Sequence, residues 1–210
     1  MKIKEVIAAL ERFAPLPLQA GFDNAGLQVG LTEAEVSGAL LCLDVTEAIV
    51  DEAIARGCNL IVSHHPLIFR KLSCISDGDY VQRTVFKAIQ RGIVIVSMHT
   101  NMDSAVGGVN YKIAEKLGLQ DLSFIGQGVI GRFAKPVAAD DLVLLLKKEF
   151  GVECVQANQL LRRPIEKVAL CGGSGAFLLP EAVRLGADAF VTGEMHYHEF
   201  FGREQQIQIC

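Results

Sequence analysis

Residues 56–65 read RGCNLIVSHH and residues 185–194 read LGADAFVTGE, and these two stretches decide the fold. In each, a glycine ends a helical segment and is followed by a short apolar run that is typical of a strand. Polar side chains come directly after each run: His64 and His65 in the first stretch, Glu194 in the second. The identical spacing predicts one helix–strand unit that occurs twice, with Glu194 near the place that the histidine pair has in the first.

Strand-like and helix-like segments alternate around the first stretch. Apolar runs at 39–43, 59–63 and 93–97 are separated by helical patterns at 46–56 and 81–91. The runs are apolar throughout, which is typical of strands buried on both faces of a parallel sheet. Strands that alternate with helices indicate an α/β fold.

The same pattern restarts near residue 128. The later segments are predicted as strands at 129–133, 153–156, 168–171 and 189–192 and as helices at 140–150 and 180–185. We therefore predict an α/β fold of two related lobes, with largely parallel sheets flanked by helices. The first lobe is expected at residues 1–125 and the second at residues 126–210.

Composition and charge exclude several classes of protein. The chain has a net charge of -4 and no dense cluster of Lys and Arg, which disfavours nucleic acid as the main ligand. No apolar stretch approaches the roughly 20 residues that cross a bilayer, and the N-terminus lacks a secretory pattern. The six cysteines include no C-x-x-C pair, so reduced thiols are expected instead of disulfides or a zinc–thiolate site. We expect a soluble, cytoplasmic protein without a membrane partner.

All five histidines follow predicted strands. They are His64, His65, His99, His196 and His198. Open α/β sheets bind ligands beyond the carboxyl ends of their strands, because the loops converge there. Imidazole and carboxylate are ligands that zinc, iron, manganese, cobalt and nickel share. The pattern therefore predicts a site for one or two of these divalent ions.

His64, His65 and Asp103 are the predicted metal ligands. Adjacent histidines converge only if the backbone leaves regular strand geometry, which Pro66 favours. Asp103 ends the stretch HTNMD at 99–103 and could bridge two ions, which together deprotonate a water near neutral pH. His99 is expected to orient a ligand by hydrogen bonding more readily than to bind an ion.

Three further features leave alternatives open. His196 and His198 could equally be surface residues, while Glu194 is expected near the site. Residues 171–175 read CGGSG, in which glycines let backbone N–H groups approach an anion. That stretch has neither the lysine of a P-loop nor the spacing of a dinucleotide fingerprint, so a plain tight turn explains it as well.

Five stretches together resemble the YbgI-like dinuclear metal-centre proteins, also called the NIF-three family. They are FDNAGLQVG at 22–30, with Phe22 where the family has tryptophan, SHHP at 63–66, HTNMD at 99–103, GGSG at 172–175 and TGE at 192–194. The resemblance covers essentially the whole chain. It implies two related α/β lobes, no inserted domain, and a ring-shaped homo-oligomer, as a hexamer. It also implies two divalent metal ions per subunit, held by His64, His65 and Asp103.

Members of this family are often labelled GTP cyclohydrolase type-two homologues. Residues and resemblance together favour a metal-dependent hydrolase that acts on a nucleotide-like or other small-molecule substrate. His64 and His65 would anchor the ions, and Glu194 is the candidate for proton transfer. The alternative is a non-enzymatic metal-binding protein: a metallochaperone, a regulator or a partner-binding protein.

The family pattern continues into a G-H-x-x-x-E motif, whose His and Glu complete the metal site. This sequence reaches Cys210 before such a motif. The expectation is therefore a shortened second lobe or a natural variant with an incomplete site, either of which would bind metal more weakly.

Overall fold

Apolar strands form two separate sheets in the computed structural model, which describes residues 1–210. Contacts group the chain into two units, Met1–Ala105 and Val106–Cys210, with one sheet each. The sequence pattern favours a later boundary, at residues 125–126. Both sheets are mixed and both are flanked by helices, which agrees with the predicted α/β class.

The first unit contains four strands and four helices. The strands are β1 (Gly26–Val29), β2 (Ala39–Cys42), β3 (Leu60–Ser63) and β4 (Val94–Ser97). The helices are α1 (Ile3–Phe13), α2 (Glu47–Ala55), α3 (Tyr80–Gln90) and the short α4 (Thr100–Asp103), with a 3-10 turn at Leu16–Leu18. The strand order is β1-β4-β3-β2, in which β2, β3 and β4 run parallel and β1 is antiparallel to β4.

Side chains alternate between two cores across this sheet. Ile61 and Ile95 belong to the core that α2 and α3 cover. Leu60 and Val94 belong to the core that contains Ile3 of α1. Because both faces are covered, a strand such as β4 is buried at every position, which explains its uninterrupted apolar sequence. The predicted strands and helices of this unit are confirmed to within a residue or two.

Side-chain caps fix where α2 and α3 begin. Thr46 accepts a hydrogen bond from the backbone N–H of Ile49, and Asp79 accepts one from Gln82. Such caps satisfy N–H groups that have no partner inside the helix. The caps therefore stabilise the first turns of α2 and α3.

The second unit contains five strands and three helices. The strands are β5 (Gln120–Ile125), β6 (Gly128–Val137), β7 (Ile165–Ser174), β8 (Ala189–Glu194) and β9 (Gln208–Ile209). The helices are α5 (Val109–Lys116), α6 (Ala139–Phe150) and α7 (Leu179–Arg184), with 3-10 turns at Ala176–Leu178 and Tyr197–Phe200. The strand order is β5-β6-β7-β8-β9, with β5, β6 and β7 antiparallel and β7, β8 and β9 parallel.

The strand predicted at 153–156 is wrong, because this segment is irregular. The edge beside β8 is taken by β9, which pairs with it in parallel. The segment approaches that edge through Asn158, whose Oδ1 accepts from the backbone N–H of Ile209 at 2.9 Å. The side chain of Asn158 thus accepts a hydrogen bond from the backbone of β9, where a further strand was expected.

The two stretches of like sequence have like local geometry. Gly57 and Gly186 follow α2 and α7 with φ of 70° and 69°. This left-handed conformation ends a helix and suits glycine, which has no Cβ. The strands that follow, β3 and β8, each pair in parallel with the strand preceding the helix. The predicted repetition of the unit is therefore seen at the level of backbone conformation.

All six cysteines are free thiols, as expected, and two of them, Cys171 and Cys210, are buried. Burial raises the pKa of Cys210 to about 12. No helix has both the length and the apolar content that crossing a bilayer would require.

Candidate metal centre

The candidate site begins where β3 and β4 end. The two strands are in register at Ser63 and Ser97, which are both buried. Ser63 Oγ donates to the carbonyl oxygen of His65 at 2.8 Å, and Ser97 Oγ donates to that of His64 at 2.7 Å. The backbone of both histidines is thereby held at the carboxyl edge of the sheet, and their ring centroids lie 4.9 Å apart.

His99 joins this pair. Its ring centroid lies 5.2 Å from that of His64 and 5.6 Å from that of His65. One ring nitrogen from each of the three residues lies within 4.8 Å of the others. The sequence expectation gave His99 a supporting place, whereas the structure places it among the candidate ligands.

Two of the imidazoles are oriented by hydrogen bonds at Nδ1. His64 Nδ1 lies 3.0 Å from the carbonyl oxygen of Met98, and His65 Nδ1 lies 2.8 Å from Oδ1 of Asp44. Carbonyl and carboxylate oxygens only accept, so Nδ1 carries the proton in both rings. Each Nε2 therefore keeps its lone pair, which is the arrangement common among metal-binding histidines.

Asp23 does the same for His99. Its Oδ1 lies 2.8 Å from His99 Nδ1, and its Oδ2 accepts from the backbone N–H of Thr100 at 3.1 Å and from the Thr100 hydroxyl. Burial alone would raise the pKa of Asp23, but the hydrogen bonds from Thr100 and His99 outweigh it and lower that pKa. The carboxylate is thus ionised and accepts from His99, whose Nε2 is left free for a ligand.

Asp103 completes the set of nearby donors. Its Oδ1 lies 3.8 Å from Nε2 of His64, and both side chains are largely buried. Burial lowers the pKa of His64 and raises that of Asp103, where the charges of His64 and His99 act in the opposite direction. A neutral imidazole is the form that binds metal, and a nearby cation would favour the ionised carboxylate.

This donor set fits a divalent transition-metal ion. Two donors about 2.1 Å from one tetrahedral ion lie about 3.4 Å apart, close to the distance between His64 and Asp103. Imidazole nitrogens with a carboxylate are suitable ligands for zinc, iron, manganese, cobalt and nickel. Mg²⁺ and Ca²⁺ prefer oxygen ligands and fit this donor set poorly.

Glu194 and the last two histidines lie in the second unit. Glu194 is the exposed last residue of β8, opposite Ser174 of β7. His196 and His198 are exposed, and their rings stack with centroids 5.7 Å apart. The role predicted for Glu194 stays a prediction.

The glycine-rich loop already uses backbone N–H groups that an anion would need. Gly172 donates to Oδ1 of Asn110 at 2.7 Å, and Gly175 donates to the Thr192 hydroxyl at 3.0 Å. Gly173 has a φ of 65° between them. These contacts favour the plain tight turn over a phosphate site.

Sequence reasoning missed Asp23 and Asp44. Asp44 comes directly after an apolar strand, so it could have been found as a carboxylate at the same sheet edge as the histidines. Asp23 lies in a loop 76 positions before His99, and only the recurrence of its stretch in the resembled family marks it.

Known proteins resemble the chain along its whole length. The family model described as Duf34/NIF3 (NGG1p interacting factor 3) matches residues 1–210. A Clostridium perfringens protein named GTP cyclohydrolase 1 type 2 homolog is 37% identical over 207 residues, which are 94% of this chain and 79% of that protein. A Lactococcus lactis protein of the same name is 35% identical over 208 residues, with the same two coverages.

One solved structure has the same fold. Staphylococcus aureus protein SA1388 superposes with a TM-score of 0.90 and 26% identity, covering 100% of this chain and 85% of SA1388. Both sheets are therefore part of a shared architecture.

Proposed function

Because the chain belongs to the Duf34/NIF3 family, we propose that it binds two divalent transition-metal ions and acts as a metal-dependent hydrolase. His64, His65 and Asp103 are the proposed ligands, and the geometry adds His99 to them. The proposed substrate is a nucleotide-like or other small molecule. The names of the relatives, GTP cyclohydrolase 1 type 2 homolog, support this choice. A homo-oligomeric ring, as a hexamer, belongs to the same proposal.

The observation that supports this proposal most is the state of the three imidazoles. Each has its Nδ1 hydrogen-bonded to an oxygen atom. Each Nε2 thereby keeps its lone pair, and one ring nitrogen from each histidine lies within 4.8 Å of the others at the end of one sheet. Lone pairs that face one another have no hydrogen-bond donor between them, which costs free energy unless a cation binds there. The arrangement therefore favours a metal site over a purely structural role for the three histidines.

The chemistry then divides among residues of the chain. When bound, divalent ions polarise a substrate oxygen and lower the pKa of a coordinated water. His64, His65 and His99 would hold the ions through Nε2, together with the carboxylate of Asp103. Asp23 and Asp44 keep two of the imidazoles in the binding tautomer. Glu194 of the second unit is the proposed residue for proton transfer.

Metal content per chain, measured by inductively coupled plasma mass spectrometry, tests the site. We expect about two transition-metal ions in the wild type and their loss in His64→Ala. The matched control is His198→Ala, which removes an exposed histidine of the second unit and should keep the metal. Metal retained in His64→Ala would contradict the assignment of the ligands.

Hydrolysis is tested with nucleotide and phosphoester panels on the metal-loaded protein. Product release that depends on His64 and Asp103, while the fold is kept, supports the enzyme. A folded, metal-loaded protein that releases no product from either panel rejects it. Native mass spectrometry tests the hexamer independently.

The second candidate is a non-enzymatic metal carrier. It is favoured by the position of His65, whose side chain is 49% exposed beside the partly buried His64 and His99. A ligand that solvent reaches so easily allows transfer of the ion to another protein. Rapid exchange of bound metal with a chelator, together with a partner that co-purifies stoichiometrically, would support this candidate over the hydrolase.

A further inference from the structure

Two exposed phenylalanines stand beside the histidine cluster. The ring centroid of Phe69 lies 6.3 Å from that of His99, and the ring of Phe22 lies 6.3 Å from Phe69 at an interplanar angle of 66°. Phe22 is 67% exposed and Phe69 is 47% exposed. Large apolar side chains at this exposure contribute little to the core, so their place at the site calls for another role.

The turn that carries Phe22 is anchored at both ends. The backbone N–H of Asp23 donates to the carbonyl of Ala20 at 2.9 Å, which closes the turn. The backbone N–H of Ala20 donates to the Thr100 hydroxyl at 2.9 Å. Asp23 itself bonds to His99 and Thr100. Phe22 is therefore presented by a turn that is tied to the candidate metal site.

The segment before Phe69 is fixed to the same loop. Asn24 Nδ2 donates to the carbonyl of Ile68 at 2.6 Å, and the backbone N–H of Ile68 donates to Oε1 of Gln28 at 3.1 Å. Gln28 Nε2 donates in turn to the carbonyl of Asn24 at 2.6 Å. Both phenylalanines are thus exposed on a hydrogen-bonded frame, which is unlike a mobile surface loop.

We propose that Phe22 and Phe69 form an aromatic wall that binds the planar heteroaromatic ring of the substrate next to the metal site. Aromatic rings prefer offset-stacked or edge-to-face contact, and the tilted pair offers both a face and an edge. Phe69 is in edge contact with a candidate ligand, so a ring on this wall reaches the cluster directly. This inference rests on the proposed function and specifies the substrate of that site.

Charge beside the wall agrees with an anionic substituent on that ring. Arg70 and Lys71 follow Phe69 directly, both are exposed, and neither forms an ion pair within the chain. Unpaired cations at the rim of a site attract phosphate groups. A phosphorylated heterocycle therefore fits the surroundings better than an uncharged aromatic compound.

Guanosine 5′-monophosphate and ribose 5-phosphate test the wall, because both carry the sugar and phosphate and only the nucleotide carries a base. Dissociation constants are measured by calorimetry on the full chain, both metal-loaded and metal-stripped. We expect the wild type to bind the nucleotide about tenfold more tightly. Phe69→Ala and Phe22→Ala should abolish that ratio while leaving ribose 5-phosphate unaffected. Phe86→Ala, which removes a phenylalanine with 50% exposure elsewhere in the unit, should preserve it.

A second variant locates the bound base independently. The chain contains no tryptophan, so Phe22→Trp introduces a single indole at the wall. The nucleotide should quench its fluorescence, and ribose 5-phosphate should not. A Phe86→Trp variant should respond to neither.

Several results would overturn the inference. They are equal binding of the two probes by the wild type, no binding of either, or a base preference that survives Phe69→Ala. An indole emission that shifts with protein concentration in the absence of any probe would assign the wall to contact with a second copy of the chain.

The hydrolase proposal fails separately. If the protein prefers the nucleotide but holds no metal or releases no product, the aromatic wall is supported and the hydrolase proposal is rejected. If the protein hydrolyses substrates that have no aromatic ring and shows no base preference, the hydrolase proposal is supported and the aromatic wall is rejected.

Discussion

The carboxylate of Asp23 accepts a hydrogen bond from Nδ1 of His99 at 2.8 Å, although 76 positions of sequence separate the two residues. The side chain of Asp23 is fully buried. This pair ties an N-terminal turn to the histidine cluster and determines which nitrogen of His99 faces the site.

Asp23→Asn should weaken metal binding by about 10- to 100-fold. An amide can turn its NH₂ group toward His99, which favours the tautomer with the proton on Nε2 and removes the lone pair that binds the ion. Competition with a chromogenic chelator measures the affinity. The comparison variant is Asp44→Asn, whose carboxylate contacts His65 at the same distance of 2.8 Å but is 69% exposed, so a smaller loss is expected. Equal losses in the two variants would show that burial of Asp23 is irrelevant to the site.

Zinc should stabilise the folded chain. At about 100 times the dissociation constant, a ligand that binds only the folded state raises the free energy of unfolding by about 2.7 kcal/mol. His99→Ala should lose most of this increment, because one of three converging nitrogens is removed. Chemical denaturation with and without zinc measures it, and His198→Ala should keep the full increment. If zinc stabilises His99→Ala as much as the wild type, His99 is not a ligand and only supports the site through hydrogen bonds.

Asp188 should make the stability of the second unit dependent on pH. Partial burial would raise the pKa of this carboxyl, but backbone N–H groups of Lys167 and Glu166 and the guanidinium of Arg163 outweigh it and lower the pKa. A carboxyl with a lowered folded pKa contributes stability that is fully present above its unfolded pKa of about 3.9. That contribution is lost as the pH falls through the folded pKa.

Asp188→Asn should therefore cost about 1–2 kcal/mol at pH 7, since charge-assisted hydrogen bonds are lost, and progressively less below about pH 4. Urea unfolding at a series of pH values measures the difference. Asp77→Asn is the control, because Asp77 is exposed and its carboxylate has no hydrogen-bond partner. A cost that stayed constant down to pH 2 would mean that the charge of Asp188 is unimportant.

Gly30→Ala should destabilise the first unit by about 2–4 kcal/mol. Gly30 has a φ of 105°, and a Cβ there would lie 2.8 Å from Cγ2 and 2.9 Å from Cα of Val94. The backbone of β4 would have to move. Gly57→Ala is the matched control: its φ of 70° imposes strain of about 1 kcal/mol, but a Cβ would meet no atom within 4 Å. Similar thermal stabilities of the two variants would contradict the close approach.

Glu194→Gln should lower kcat by about 10²- to 10⁴-fold if this residue transfers the proton, with metal content and KM for the substrate little changed. The amide keeps the shape of the side chain and removes its ability to hold a proton. Steady-state kinetics on the metal-loaded protein measure the effect. Unchanged kcat would assign proton transfer to another group.

The central strands could be predicted because their apolar composition indicates that both of their faces are buried. Leu60–Ser63 and Val94–Ser97 are covered by helices on both faces, so almost every position is apolar. Gly26–Val29 could not be found in this way, because it is short, half-exposed and defined by its pairing with β4. The strand expected at 153–156 was wrong because β9 takes the sheet edge beside β8, so the segment has no strand to pair with there.

The candidate site was predictable in its residue types but not in its hydrogen bonds. The sequence shows that His64 and His65 follow one strand and His99 another, which places all three at one edge. It does not show which nitrogen of each ring is occupied. That depends on contacts with Asp23 and Asp44, which lie 76 and 21 positions away and become neighbours only in the folded chain.

The imidazoles of the cluster are held in their orientations by the fold itself, so the protein has little rearranging to do when an ion arrives. The rate of metal uptake should then be set by how quickly the ion sheds its own water. Mg²⁺ gives up its hydration shell reluctantly, whereas an ion that exchanges water fast would enter at once. In a cell where magnesium is abundant, this cluster would discriminate by speed as well as by affinity.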